Sequence, residues 1–260
     1  MQLSAILEQL EELAPKRFAL SWDNVGLLCG RREREVQRIF LALDATDEVV
    51  EDAVRAEADL LITHHPLIFH GIKYLTDDDF IGRRLLKLVQ ADISYYAMHT
   101  NFDVMGMADA AADELDLGER KVLDVTMEDE LSREGIGRTG MLPRKMTLFE
   151  CAEYVKGVFH LDTVRVFGEQ GKTVHCAAVC PGSGRGEIDA AIETGADVLI
   201  TGDIDHHTGI DAVAQGLSII DAGHYGLEKI FVPYMKEVCR RQMPGVEVFT
   251  AVDRAPFVVV

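Results

Sequence analysis

Ala58-Asp-Leu-Leu-Ile-Thr-His-His-Pro66 is the stretch that decides the fold. A short, unbroken apolar run bounded by polar residues reads as a strand buried on both faces, which belongs in a parallel sheet covered by helices. The same text returns as Ala196-Asp-Val-Leu-Ile-Thr201, identical at five of six positions. Each copy is followed by a histidine pair, His64-His65 in the first and His206-His207 in the second.

Working outward, the run Ile39-Phe-Leu-Ala-Leu-Asp44 reads as a strand and residues 46–57 as a helix, so the first copy has the strand–helix–strand order of a parallel unit. The second copy repeats it, with a strand at 174–179 and a turn and helix over 182–194. A further strand ends in histidine both times, Ile93-Ser-Tyr-Tyr-Ala-Met-His99 and Leu217-Ser-Ile-Ile-Asp-Ala-Gly-His224. Four residues on stands a carboxylate, Asp103 and Glu228 respectively. This ordered series is read as an internal repeat. The expected fold is α/β, two related α/β units with a dinuclear metal site in the cleft between them. The first domain is expected over 1–124, completed by 222–260, and the second over 125–221.

Smaller features fit around these units. Leu3, Ile6, Leu7, Leu10 and Leu13 have helical spacing, closed by Pro15. Thr147 and Glu150 form a capping box. Residues 168–171, flanked by Val-rich runs, read as a hairpin turn, and 246–249 and 257–260 as strands completing a sheet.

The chain has 260 residues and a formal charge of −18. That acidity argues against sequence-independent nucleic-acid binding, whose affinity comes from Lys and Arg on phosphates. It suits a site that collects cations. The first residues form an amphipathic segment rather than a secretory signal, and no apolar run approaches a membrane span. Five cysteines without a Cys-x-x-Cys are expected as free thiols, which places the protein in the cytoplasm.

Histidines at the carboxyl ends of buried strands sit where open α/β sheets bind ligands. A lone histidine there is usually hydrogen-bonded scaffolding. An adjacent pair plus two His-x-x-x-carboxylate pairs is a metal-ligand pattern, because i and i+4 share one helical face. Imidazole with carboxylate suits zinc, iron or manganese, and few protein ligands per ion leave positions for water. His160 and His175 keep the scaffolding reading, and His70 is a neighbour or a loop residue. Trp22-Asp23-Asn24 either lines the site or anchors the core. Gly182-Ser-Gly-Arg-Gly186 opens a helix and has the form of an anion-binding turn, but the dinucleotide fingerprint Gly-x-Gly-x-x-Gly is absent.

Ser21-Trp-Asp-Asn-Val-Gly-Leu27, Thr63-His-His-Pro66, His99-Thr-Asn-Phe-Asp103 and Gly223-His-Tyr-Gly-x-Glu228 together resemble the NIF-three-like family, also called GTP cyclohydrolase 1 type 2 homologs. The resemblance covers nearly the whole chain and implies two divalent ions per chain, with His64, His65, Asp103, His224 and Glu228 as ligands and Glu228 as the bridge. It leaves His99 an acid–base or supporting role, and His207 matches a family histidine facing the same cleft; these two are the candidate catalytic residues. It also implies a ring-shaped homohexamer, in the short form without an inserted domain. The expected function is a metal-dependent hydrolase acting on a nucleotide or related small molecule. The alternative is a non-enzymatic ring scaffold or metal-handling protein.

Overall fold

In the computed structural model, which describes residues 1–130 and 132–260, the chain opens with helix α1 (Leu3–Leu13) and strand β1 (Gly26–Cys29). The parallel unit follows as β2 (Arg38–Ala42), α2 (Asp47–Arg55) and β3 (Leu60–Thr63). Next come α3 (Phe80–Gln90), β4 (Ser94–Ala97), the short α4 (Thr100–Phe102), a π-turn (Asp103–Met107) and α5 (Ala108–Glu114). The middle of the chain carries β5 (Gly118–Glu128), β6 (Arg133–Thr147), α6 (Leu148–Val158), β7 (Arg165–Phe167) and β8 (Thr173–Ser183). It continues through α7 (Ile188–Glu193), β9 (Val198–Gly202), α8 (His206–Ala214), β10 (Ser218–Asp221) and α9 (His224–Glu228), then ends in α10 (Phe231–Gln242) and β11 (Glu247–Thr250).

These elements form two units. The first comprises Met1–Phe102 and Phe231–Arg254, the second Asp103–Ile230 and Ala255–Val260. The chain thus divides at 102/103 and 230/231, where the sequence reading set 124/125 and 221/222. The alanines of α5 account for the earlier division: Ala111 and Ala112 pack with Val179, Val198 and Leu148 of the second unit.

The first unit holds a five-stranded sheet ordered β1-β4-β3-β2-β11. Strands β11, β2, β3 and β4 run parallel, and β1 pairs antiparallel with β4. Alternation along the strands sends Phe40, Leu61 and Tyr95 to one face, where Val50 and Ala53 of α2 and Leu85 and Leu88 of α3 meet them. The other face carries Ile39, Leu41, Leu60 and Ile62, all fully buried, and α10 packs against β2 and β11. Burial on both faces is why these strands read as continuous apolar runs. Each such side chain contributes about 1.5–3 kcal/mol relative to exposure.

The second unit holds a six-stranded mixed sheet ordered β5-β6-β8-β9-β10-β7. Its centre, β8-β9-β10, is parallel, and β5, β6 and β7 add antiparallel. Ala177, Val179, Val198 and Ile200 face α5 and α6; Ala178, Leu199 and Ile219 face Ile188 of α7 and Ala212 of α8. Helix α6 starts at the expected capping box: Thr147 Oγ1 accepts from Glu150 N, and the Glu150 carboxylate accepts from Thr147 N at 2.7 Å.

Two expectations are corrected. Residues 168–171 do not join a hairpin, because β7 pairs with β10 rather than with β8. The turn's carbonyls are used elsewhere: Lys172 O and Gln170 O accept from Leu148 N and Phe149 N, two of the unbonded amides at the start of α6. Residues 257–260 form no strand and are exposed, whereas the 246–249 expectation is met by β11. All five cysteines are free thiols. Among the described residues, no helix is long and apolar enough to cross a membrane.

Candidate metal-binding residues

In the first unit, β3 ends at Thr63 and delivers His64 and His65 into the following turn, while β4 ends at Ala97 and delivers His99. Because β3 and β4 are parallel and in register, with Thr63 opposite Ala97, the three histidines emerge from the same sheet end. Their ligand-type nitrogens all lie within 4.8 Å of one another. The ring centroids are 4.8 Å apart for His64 and His65, 5.3 Å for His64 and His99, and 5.5 Å for His65 and His99.

Each ring is held at Nδ1. His64 Nδ1 donates to Met98 O at 2.9 Å, His65 Nδ1 to Asp44 Oδ1 at 2.8 Å, and His99 Nδ1 to Asp23 Oδ1 at 2.9 Å. A histidine anchored in this way has a fixed tautomer and presents Nε2 as the coordinating or proton-carrying atom. The side chain of Asp23 is fully buried and also accepts from Thr100 N and Thr100 Oγ1. Burial opposes its charge, but His99 and Thr100 outweigh that and lower its pKa to about 2. The anchor therefore stays ionised at neutral pH.

The turn itself is locked from beneath. Tyr95 on β4 is fully buried; its hydroxyl accepts from Leu67 N at 2.7 Å and reaches His65 O at 3.0 Å. Thr63 Oγ1 donates to the same carbonyl at 2.7 Å. Burial pushes the Tyr95 phenol up to about 12, so it remains a neutral hydrogen-bonding group. His64 packs its ring on Phe231 at 5.3 Å, which limits its freedom further.

In the second unit, β10 ends at Asp221 and α9 begins at His224, so His224 and Glu228 share a helical face and His224 Nε2 lies 2.9 Å from Glu228 Oε2. His224 Nδ1 donates to Asp203 Oδ2 at 2.8 Å. Burial disfavours the charged ring, but Glu228 and then Asp203 prevail and raise the His224 pKa to about 9. Asp203 follows β9 with φ of 58°, a left-handed conformation that Asp tolerates better than most residues. Glycines make room here. A Cβ on Gly202 would overlap the His224 backbone, and one on Gly182, whose φ is 79°, would stand 2.5 Å from Glu228 Oε1. Within the glycine-rich stretch 182–186, Gly182 thus provides close approach to Glu228, and Arg185 pairs with Asp205 at 3.2 Å.

Asp103 opens the π-turn, an irregularity frequent at functional positions. It belongs to an acidic neighbourhood in the second unit: burial first, then Glu187, Asp103, Glu228 and Asp124, hold the Cys180 thiol well above its ordinary pKa. His206 and His207 are placed differently from His64 and His65. They head α8 behind the N-cap Asp205 and are exposed, with rings 5.2 Å apart. Among the described residues, His207 joins no cluster of metal-ligating groups. His160 and His70 are exposed and His175 is half-buried.

The residues the sequence reading did not single out are Asp44, Asp203 and Tyr95. Asp44 and Asp203 each carry a charge at the end of an apolar strand, the only local signal available. Asp23 stands in the Trp22-Asp23-Asn24 stretch that the sequence marks, but its partner His99 lies far along the chain.

The chain matches the family model described as Duf34/NIF3 (NGG1p interacting factor 3) over residues 1–256. A Clostridium perfringens protein named GTP cyclohydrolase 1 type 2 homolog is 35% identical over 230 residues, 88% of this chain and 87% of the other. A Streptococcus pneumoniae protein of the same name is 36% identical over 238 residues, 89% of this chain and 88% of the other. Among solved structures, a Bacillus cereus protein related to NIF3 superposes with a TM-score of 0.91 at 25% identity, covering 100% of this chain and 99% of that one. Reduced HcgD from Methanocaldococcus jannaschii gives 0.82 at 32% identity, covering 96% and 97%. With one family model spanning all but its last four residues and relatives above 30% identity along most of its length, the chain belongs to the DUF34/NIF3 family.

Proposed function

We propose that the protein is a metal-dependent hydrolase acting on a nucleotide or related small molecule. In this reading His64, His65, Asp103, His224 and Glu228 hold two divalent ions, zinc, iron or manganese. The observation that carries it is the set of His64, His65 and His99, whose coordinating nitrogens fall within 4.8 Å of one another on anchored rings. The donor chemistry fits a borderline transition metal: imidazoles in one unit, imidazole and carboxylate in the other. Bound ions would polarise the scissile bond and lower the pKa of the attacking water. The chain's own residues do the rest. Asp44 and Asp203 orient His65 and His224. Asp23 fixes the tautomer of His99, so that His99 takes up or delivers a proton at Nε2. Glu228, with two carboxylate oxygens, is suited to bridging. His207 is left out, because its exposed place on α8 supplies no partner for this work.

The same reading treats the two units as copies of one strand–helix–strand ancestor, and the protein as a cytoplasmic homohexameric ring. The curated relatives carry the name GTP cyclohydrolase 1 type 2 homolog, which favours a nucleotide among possible substrates. The test is turnover: metal-loaded protein incubated with nucleoside mono-, di- and triphosphates and simple phosphoesters, beside the His64→Ala/His65→Ala variant. Hydrolysis that needs metal and disappears in the variant is the expected result. No turnover of any substrate, with two ions bound and no exchangeable water on them, would replace the hydrolase by a scaffold with structural metals.

A further inference from the structure

Trp22 and Phe69 are large apolar side chains beside His99 with no part in the candidate metal site. Both are exposed, at 53% and 40%, yet neither is on a loose surface. Their rings lie 5.6 Å apart with an interplanar angle of 39°. Trp22 meets the edge of His99 at 5.9 Å, and Phe69 stands 6.3 Å from the same imidazole. Hydrogen bonds fix the loops that carry them. Asn24 Nδ2 donates to Ile68 O at 2.6 Å, which ties the tryptophan loop to the phenylalanine loop. Leu20 N donates to Thr100 Oγ1 at 2.9 Å, and Asp23 is held by His99 and Thr100. A scattered exposed aromatic needs no explanation. Two exposed rings, pinned side by side and touching His99, the proposed proton carrier of the candidate site, form a presented surface.

We propose that Trp22 and Phe69 form a stacking platform that seats the planar heteroaromatic ring of the substrate beside His64, His65 and His99. Aromatic faces stack on nucleobases through offset contact, with little loss of side-chain freedom on binding. The indole matches a fused bicyclic base in extent, and the site needs such a device, because histidines and carboxylates grip a reacting group but do not select the ring attached to it. The polar network of Asp23, Thr100 and Asn24 lies behind the platform and fixes its geometry, as a supported binding surface requires. This assignment rests on the metal-site reading for the chemistry next to the platform, but the stacking itself is measured separately.

Trp22 is the only tryptophan in the chain, so its emission reports on the platform alone. Zinc-loaded protein is titrated with guanosine and adenosine 5′-monophosphate, with ribose 5-phosphate as the baseless control, by fluorescence and calorimetry. Metal content is measured on every sample. The expected result is saturable quenching by the nucleotides and none by ribose 5-phosphate. Phe69→Ala and Trp22→Ala should each weaken nucleotide binding by about tenfold with metal content unchanged, and Trp22→Phe should restore most of it. The platform is overturned if neither nucleotide binds saturably, if both alanine variants bind as the parent does, or if ribose 5-phosphate binds equally well. In any of these cases retained zinc would leave the metal reading standing, and lost zinc would sink that reading on its own.

Discussion

The two histidine regions solve the same problem in different ways. In the first unit, Asp44 follows β2 and holds His65, which follows the neighbouring parallel strand β3. In the second unit, Asp203 follows β9 and holds His224, which follows the neighbouring parallel strand β10. A carboxylate at the end of one strand thus aims the imidazole at the end of the next. The surroundings differ. The first unit offers three imidazoles, with Tyr95 locking the turn beneath them. The second offers one imidazole beside Glu228, on a backbone opened by Gly182, Gly202 and a left-handed Asp203. The first region therefore supplies imidazole donors on a hydrogen-bonded turn. The second supplies negative charge, and it has to be built with glycines.

The largest expected effect would break the charge half of this comparison. Glu228→Ala should lose at least one metal per chain by elemental analysis while circular dichroism shows a folded protein; retention of both ions would remove Glu228 from the ligand set. The next would test whether the anchoring device is shared. Asp44→Ala and Asp203→Ala should each cost about 10- to 100-fold in zinc affinity, the usual penalty for losing the support of a ligating histidine. A loss in only one variant would mean that the two anchors are not equivalent.

A third prediction concerns the turn in the first unit. Tyr95→Phe removes the hydroxyl that serves Leu67 N and His65 O, so urea denaturation should show a loss of about 1–3 kcal/mol. An unchanged midpoint would mean that the turn does not depend on that lock. The fourth concerns Glu187 in the second unit, whose pKa is raised to about 7 by burial and then by Asp124. A raised folded pKa contributes stability that is complete below the unfolded value of 4.5 and lost as pH rises through about 7. Glu187→Gln should therefore flatten the pH dependence in that window and be the more stable protein at pH 8, by on the order of 2 kcal/mol. A variant with the parent's slope would show that Glu187 does not carry it. The smallest effect is the control: His160→Ala, on an exposed residue, should leave metal content unchanged.

How much of this was legible in the sequence follows from how local each signal is. The buried strands were readable because burial on both faces writes an unbroken apolar run, as in Leu60–Thr63 and Val198–Gly202. The Thr147–Glu150 cap was readable because it is closed within one turn of chain. The His-His pair and the His-x-x-x-Glu spacing were readable for the same reason. What depends on partners distant in sequence was not. The 168–171 turn looked like a hairpin, yet its carbonyls went to α6 and β7 went to β10. The apolar residues 257–260 carry strand composition but pair with nothing among the described residues. Asp44, Asp203 and Asp23 lie 21 to 76 residues from the histidines they hold, and the histidines 206 and 207 match the first pair in text while standing exposed at the head of α8.

The account's central claim is that these histidines and carboxylates hold metal. The direct test is elemental analysis of the purified protein, repeated on the folded His64→Ala/His65→Ala variant. The account expects nearly two divalent ions per chain and a sharp fall in the variant. A parent protein that stays folded yet binds no zinc, iron or manganese on reconstitution would contradict it.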